Sequence, residues 1–157
     1  MLNILCIEDT QEDNSVIKRY LKEFHPKHVF SHVRSYTKAV KIIEDKSFDI
    51  VFLDVNIDNG LSPEDATRII LQKCSGTPIF LMTDSKGEDI KDFVKYGAFY
   101  FLHKSNIETK PTREYLNISI EQAKWRLKNK SNKNNRIIKA IDNFKSKIND
   151  QSRITCI

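Results

Sequence analysis

No apolar run in this chain approaches the roughly 20 residues of a membrane span, so an integral α-helical membrane protein is excluded. The opening Met1-Leu2-Asn3-Ile4-Leu5-Cys6-Ile7 lacks both a charged leader and a cleavage site, and acids follow at once. It reads as a first strand instead of a signal peptide, and a cytoplasmic protein is expected. Cysteine is scarce: Cys6, Cys74 and Cys156 are three scattered residues. Such a set offers neither a disulfide framework nor metal-ligand spacing, which leaves buried or incidental thiols. The sequence has no internal repeat and no low-complexity linker before residue 128. From Thr112 onward it has neither glycine nor proline, so nothing in that stretch forces a helix to stop.

What is present suits one α/β domain with an appendage. The chain has 157 residues, of which 39% are hydrophobic, enough for a real core. Its net charge of +5 is uneven. Residues 1–109 carry 14 Lys+Arg against 17 Asp+Glu, a net −3, while residues 110–157 carry 12 against 4, a net +8. The body is mildly acidic and the tail basic. A basic tail suits nucleic acid, an anionic surface or an acidic partner, and equally the solvated face of a helix.

Strand and helix patterns alternate five times along the body. Leu2 to Ile7 is the first apolar run, and Asp13 to Phe24 follows with Val16, Ile17, Tyr20, Leu21 and Phe24 at helical spacing. Residues 28–33 form the second strand, and Tyr36 to Lys46 carries Ala39, Val40 and Ile43 on one helical stripe. The central strand lies in Phe48-Asp49-Ile50-Val51-Phe52-Leu53-Asp54, whose unbroken apolar stretch marks burial on both faces. Asp58-Asn59-Gly60 then turns the chain, Ser62-Pro63-Glu64-Asp65 starts a third helix, and Gly76 ends it. Ile79 to Thr83 is strand four, residues 88–96 a short fourth helix closed by Gly97, Ala98 to Leu102 strand five, and a fifth helix starts near Thr112.

This pattern predicts a doubly wound, five-stranded parallel sheet with helices on both faces and a C-terminal helical extension. The expected domains are 1–128 for the body and 129–157 for a basic helical tail. In the tail, Leu116, Ile120, Ala123 and Leu127, then Ile137, Ile141, Phe144 and Ile148, keep one heptad phase. They allow one long helix with a coiled-coil-like seam, or two helices joined at the polar stretch 128–135.

The polar residues collect at strand ends: Glu8-Asp9 after strand one, Asp54 after three, Thr83 at the end of four, and His103-Lys104 after five. In the strand order 2-1-3-4-5 these ends surround one site at the carboxyl edge of the sheet. Crowded carboxylates resist ionisation unless a cation joins them. Magnesium, with its preference for oxygen, suits Glu8, Asp9, Asp54 and the backbone carbonyl of Asn56. Asp54 is then the nucleophile for a phosphoryl group, giving an acyl phosphate. Lys104 pairs with Asp54 or the phosphate, and the Thr83 hydroxyl donates to a phosphoryl oxygen.

These residues make the chain resemble the receiver domain of two-component response regulators, in the CheY-like superfamily with its flavodoxin-like fold. The matching positions are Glu8-Asp9, Asp54 after an apolar strand, Thr83, Gly97-Ala98 and Lys104, and the likeness covers about residues 1–128. The resemblance implies a phosphoacceptor at Asp54, charged with magnesium by a histidine kinase or phosphotransfer protein. It also implies switching through Thr83 and the aromatic Phe101, which remodel the face made by the fourth helix, fifth strand and fifth helix. Three positions depart from the family pattern. Ser105 stands where proline with a cis bond is usual; a cis peptide before serine costs about 2.5–4 kcal/mol, so the loop is either strained or trans. Asp84 replaces a small residue, and Phe101 has no hydroxyl.

The leading expectation is a single-domain signalling phosphoacceptor that is not an enzyme beyond self-catalysed phosphorylation and dephosphorylation. Its output runs through the receiver face or through a homodimer built on helix five and the tail. A nucleic-acid-binding regulator using the basic tail is the alternative. An aspartate-nucleophile phosphatase is disfavoured, because the position two residues past Asp54, where such enzymes carry a second acid, is Asn56. The four histidines lie in strands or at element ends and read as neither metal ligands nor phosphotransfer residues.

Overall fold

A computed structural model describes residues 1–57, 62–74, 76–84, 100–126, 128 and 129. The chain divides into two compact units, Met1–Ala123 and Lys124–Ile157. The first holds strands β1 (Leu2–Ile7), β2 (His28–Val33), β3 (Ile50–Asp54), β4 (Ile79–Thr83) and β5 (Tyr100–His103). Between them lie helices α1 (Gln11–Phe24), α2 (Tyr36–Asp45) and α3 (Pro63–Lys73). A C-terminal helix begins at residue 110 and continues through 126. All strand pairs are parallel, in the order β2-β1-β3-β4-β5. This is the doubly wound, flavodoxin-like arrangement that the alternating pattern predicts.

The pleat sorts side chains onto two faces. Leu5, Ile7, Val51, Leu53 and Leu81 meet Tyr36, Ala39, Ala66 and Ile70 on the α2–α3 side. Ile4, Cys6, Ile50, Phe52, Phe80 and Leu102 meet Ile17, Leu21, Leu116, Ile120 and Ala123 on the side of α1 and the C-terminal helix. Both faces of β3 are therefore sealed, which is why its sequence shows an apolar block with no alternation. Aromatic rings step across the second face: Phe52 stacks on Phe80 at 5.2 Å and Phe80 on Tyr100 at 4.6 Å. Cys6 and Cys74 are buried and free. Burial pushes the Cys74 thiol up to about 11 and the Cys6 thiol further, so both stay protonated.

Register decides what reaches the carboxyl edge. Ile7 pairs with Leu53, Asp54 with Met82 and Thr83 with His103. Glu8 is therefore level with Asp54, while Thr83 lies one residue and Lys104 two residues further along their strands, all at the carboxyl edge. Ser62 caps α3 by accepting from the Asp65 N–H at 3.1 Å, with proline in the first turn where a missing N–H costs nothing. Gly76 takes φ 85° just past that helix, as its predicted role as terminator requires.

Several boundaries move. Helix α1 starts at Gln11 and not Asp13, because Thr10 serves as N-cap and accepts from the Asp13 N–H. The C-terminal helix starts at 110, ahead of Thr112, with Pro111 in its first turn where no donor is needed. The turn at 58–60, the fourth helix at 88–96, Gly97, the strand start at Ala98, Leu127 and the seam residues Ile137, Ile141, Phe144 and Ile148 lie outside the described residues. No described helix is long and apolar enough to cross a membrane.

Candidate functional site

Lys104 follows β5 directly and opens a single 3-10 turn, Lys104–Asn106. Its peptide to Ser105 is trans, like every described peptide. The trans linkage does not withdraw the lysine from the sheet edge. Its Nζ donates to Asp54 Oδ2 at 2.8 Å, and lies 2.9 Å from both Glu8 Oε2 and Asp13 Oδ2. The lysine side chain is 6% exposed, Asp54 2% and Glu8 0%, whereas Asp13 is 29% exposed. Water is thus largely excluded from the pair that matters most, and Coulomb attraction there is little screened.

Each carboxylate is aimed by local structure. Asp54 Oδ1 accepts from the Asn56 N–H at 2.9 Å, which fixes both the turn after β3 and the carboxylate plane. The Asp54 backbone carbonyl accepts from the buried Tyr36 hydroxyl at 3.0 Å. Glu8 Oε1 accepts from the Thr10 N–H at 2.9 Å and from its hydroxyl at 3.0 Å. The Glu8 backbone carbonyl meets His32 Nε2 at 2.7 Å. Burial drives the Glu8 carboxyl above its usual range, against the pull of Lys104 and the Thr10 N–H. Burial also opposes the charge on Lys104, but Asp54, Glu8 and Asp13 together outweigh it and hold the ammonium well above the ordinary lysine range.

Glu8, Asp9 and Asp54 each offer a carboxylate oxygen, and these oxygens lie within 4.8 Å of one another. Asp9 is exposed at the rim while the other two are buried. Among the described residues Glu8 Oε2, though close to the ammonium, accepts no well-directed hydrogen bond. A buried, incompletely satisfied oxygen beside two further carboxylates is the donor set a hard divalent cation takes, so these residues fit magnesium. Asn56 is exposed, and its backbone N–H is engaged by Asp54 Oδ1.

Thr83 is 4% exposed at the end of β4. Phe101 sits opposite Leu81 and packs, half-buried, against the α2–α3 core. By alternation Thr83 and Phe101 share that face of the sheet. Of the residues singled out from sequence, Glu8, Asp9, Asp54, Asn56, Thr83 and Lys104 lie at the carboxyl edge and Phe101 in the strand leading to it, while Gly97-Ala98 lies outside the described residues. Three residues with a hand in the site were not among them. The sequence alone gives Asp13 as the start of a helix, gives Thr10 no role, and gives Tyr36 as a helix residue. The signal for the first two was the capping pattern Thr10-Gln11-Glu12-Asp13, which sets an acid on the first turn of α1.

A family model described as the response regulator receiver domain matches residues 4–113. Among curated proteins, the chain is 28% identical over 102 residues to stress response regulator protein 1 of Lodderomyces elongisporus, covering 64% of this chain and 28% of that one. The chain spans 28% and 44% of the length of the two curated relatives it matches. Among solved structures it resembles the signal receiver domain of a DNA-binding response regulator from Colwellia psychrerythraea, with TM-score 0.67 and 18% identity over 77% of this chain and 99% of that one. It also resembles the receiver domain of the sensor histidine kinase PA1611 from Pseudomonas aeruginosa, with TM-score 0.62 and 21% identity over 78% and 97%. That structure holds a magnesium ion in its active-site cleft.

Proposed function

Because the chain belongs to the response regulator receiver domain family, we propose that it is a phosphoacceptor switch in which Asp54 takes a phosphoryl group from a histidine kinase or phosphotransfer protein. The observation that supports this most is the meeting of Lys104 Nζ and Asp54 Oδ2 at 2.8 Å, 50 positions apart in sequence, beside two further acids. A carboxylate oxygen of Asp54 attacks phosphorus, the donor's leaving group departs with the bonding pair, and an acyl phosphate remains. Glu8, Asp9, Asp54 and the Asn56 carbonyl would hold magnesium, whose charge offsets that of the phosphoryl oxygens. Lys104 supplies a second positive charge and Thr83 a hydroxyl donor.

Contact of Thr83 with the phosphoryl group then draws on the face it shares with Phe101. With no hydroxyl, Phe101 responds through packing alone. The outcome is a changed surface around β5, read by a partner or by a second copy of the chain. Tyr115 and Ile118, 40% and 60% exposed on the C-terminal helix, support the homodimer as one such output.

Incubation of the protein with acetyl phosphate, with and without magnesium, tests this reading by intact mass. It predicts a gain of one phosphoryl group that needs the cation and is absent in Asp54→Asn. No gain in the presence of magnesium contradicts it.

A further inference from the structure

Asp13 stands apart from the other acids that touch Lys104. It belongs to α1 and not to a strand end, and it is not one of the three carboxylates clustered for a cation. Thr10 anchors it: the Thr10 hydroxyl caps α1 at the Asp13 N–H while that same residue's donors hold Glu8. In a capping box, an acid three residues past the cap reaches back to the cap's own N–H. In this chain the Thr10 N–H is taken by Glu8, and Asp13 Oδ2 lies instead 2.9 Å from Lys104 Nζ. A negative charge in the first turn of a helix is favoured by the helix dipole, so Asp13 keeps its place whatever happens at the strand ends.

An ammonium has three N–H donors, and three carboxylates surround this one: Asp54, Glu8 and Asp13. Two of the three are lost when the site works. Phosphorylation of Asp54 replaces its carboxylate contact with the phosphoryl oxygens, and a cation claims Glu8. Lysine has a flexible four-carbon stem and a strongly hydrated head, so the ammonium has to be re-aimed from Asp54 onto the phosphoryl oxygens, and Asp13 is the one carboxylate it keeps while it turns. We propose that Asp13 is a positioning residue that retains Lys104 at the sheet edge during phosphoryl transfer, acting through the lysine and not on phosphorus. This rests on the phosphoacceptor reading of Asp54.

The full-length chain and its Asp13→Asn variant decide it by two readouts. The first is the maximal rate of phosphorylation by acetyl phosphate at saturating magnesium. The second needs no chemistry: the nitrogen-15 NMR signal of the Lys104 ammonium in magnesium alone, visible only while its protons are held from exchange. Loss of one charge-assisted contact predicts a rate about tenfold lower in Asp13→Asn, together with loss of the ammonium signal, at an unchanged melting temperature in magnesium. An unchanged rate overturns the proposal, and so does persistence of the signal in the variant. If the wild-type protein takes no phosphoryl group, the phosphoacceptor reading fails by itself. The role of Asp13 is then judged by the signal alone, whose loss supports it and whose persistence ends it.

Discussion

The hydroxyl of Tyr36 donates a 3.0 Å hydrogen bond to the backbone carbonyl of Asp54, joining the first residue of α2 to the last residue of β3. Tyr36 is fully buried and Asp54 nearly so. Burial, then the charge of Asp54, push the phenol far above its usual range, so it remains a donor at every physiological pH. Asp54 is therefore held through its main chain as well as through its carboxylate.

Replacing Tyr36 by Phe leaves the ring and removes the donor. A buried carbonyl without its partner costs about 1–3 kcal/mol, which urea denaturation reads as a lower midpoint at constant slope. Because the lost bond ends at the proposed acceptor, phosphorylation at Asp54 is expected to slow as well. An unchanged midpoint would show that the carbonyl finds another donor.

Lys104→Met keeps the side-chain volume and removes the cation from three acids. Two of them, Glu8 and Asp54, are buried, and stranding buried charge costs about 3–5 kcal/mol. Magnesium can replace the missing charge, so its stabilising effect, read as the rise in melting temperature on adding the ion, should be larger in the variant than in the wild type. Equal rises in the two proteins would contradict a shared role for lysine and cation.

Glu8 gives the pH dependence its sign. Its carboxyl is raised in the folded state by burial, so the folded form binds the proton more tightly than the unfolded chain does. The stability it contributes is fully present below the unfolded value of about 4.3 and is lost as pH rises through the folded value. Without divalent ions, denaturation midpoints of the wild type should exceed those of Glu8→Gln least at neutral pH, and the difference should shift toward the wild type on mild acidification. A difference that does not vary with pH would contradict the burial of an ionised Glu8.

Much of this was legible in the sequence, for reasons that can be named. The apolar block Ile50–Leu53 ending in Asp54 declared a strand sealed on both faces. Ser62-Pro63 declared a helix start, and the acids, Thr83 and Lys104 declared themselves by falling at strand ends. Short connections between alternating strands and helices implied a parallel sheet covered on both faces, and the order 2-1-3-4-5, assumed from the sequence, is the one the sheet has. What could not be read were contacts that depend on how elements lie against one another. Nothing in the sequence near Asp13 says that the first turn of α1 rises beside Lys104, 91 positions further on in the numbering. Tyr36 fits the apolar stripe of α2 equally well with or without a partner for its hydroxyl, and only the packed sheet supplies the Asp54 carbonyl. The trans peptide at Ser105 was likewise undecided, since both isomers are compatible with the residues.

The central claim is that a single aspartate oxygen captures the phosphoryl group. Borohydride reduces an acyl phosphate to the alcohol, so treating the phosphorylated protein with it and sequencing the fragments marks the residue that carried the group. The account predicts homoserine at position 54 and at no other acid. A mark at Glu8, Asp9 or Asp13, or a stable phosphate on a serine, threonine or histidine with none at 54, would contradict it.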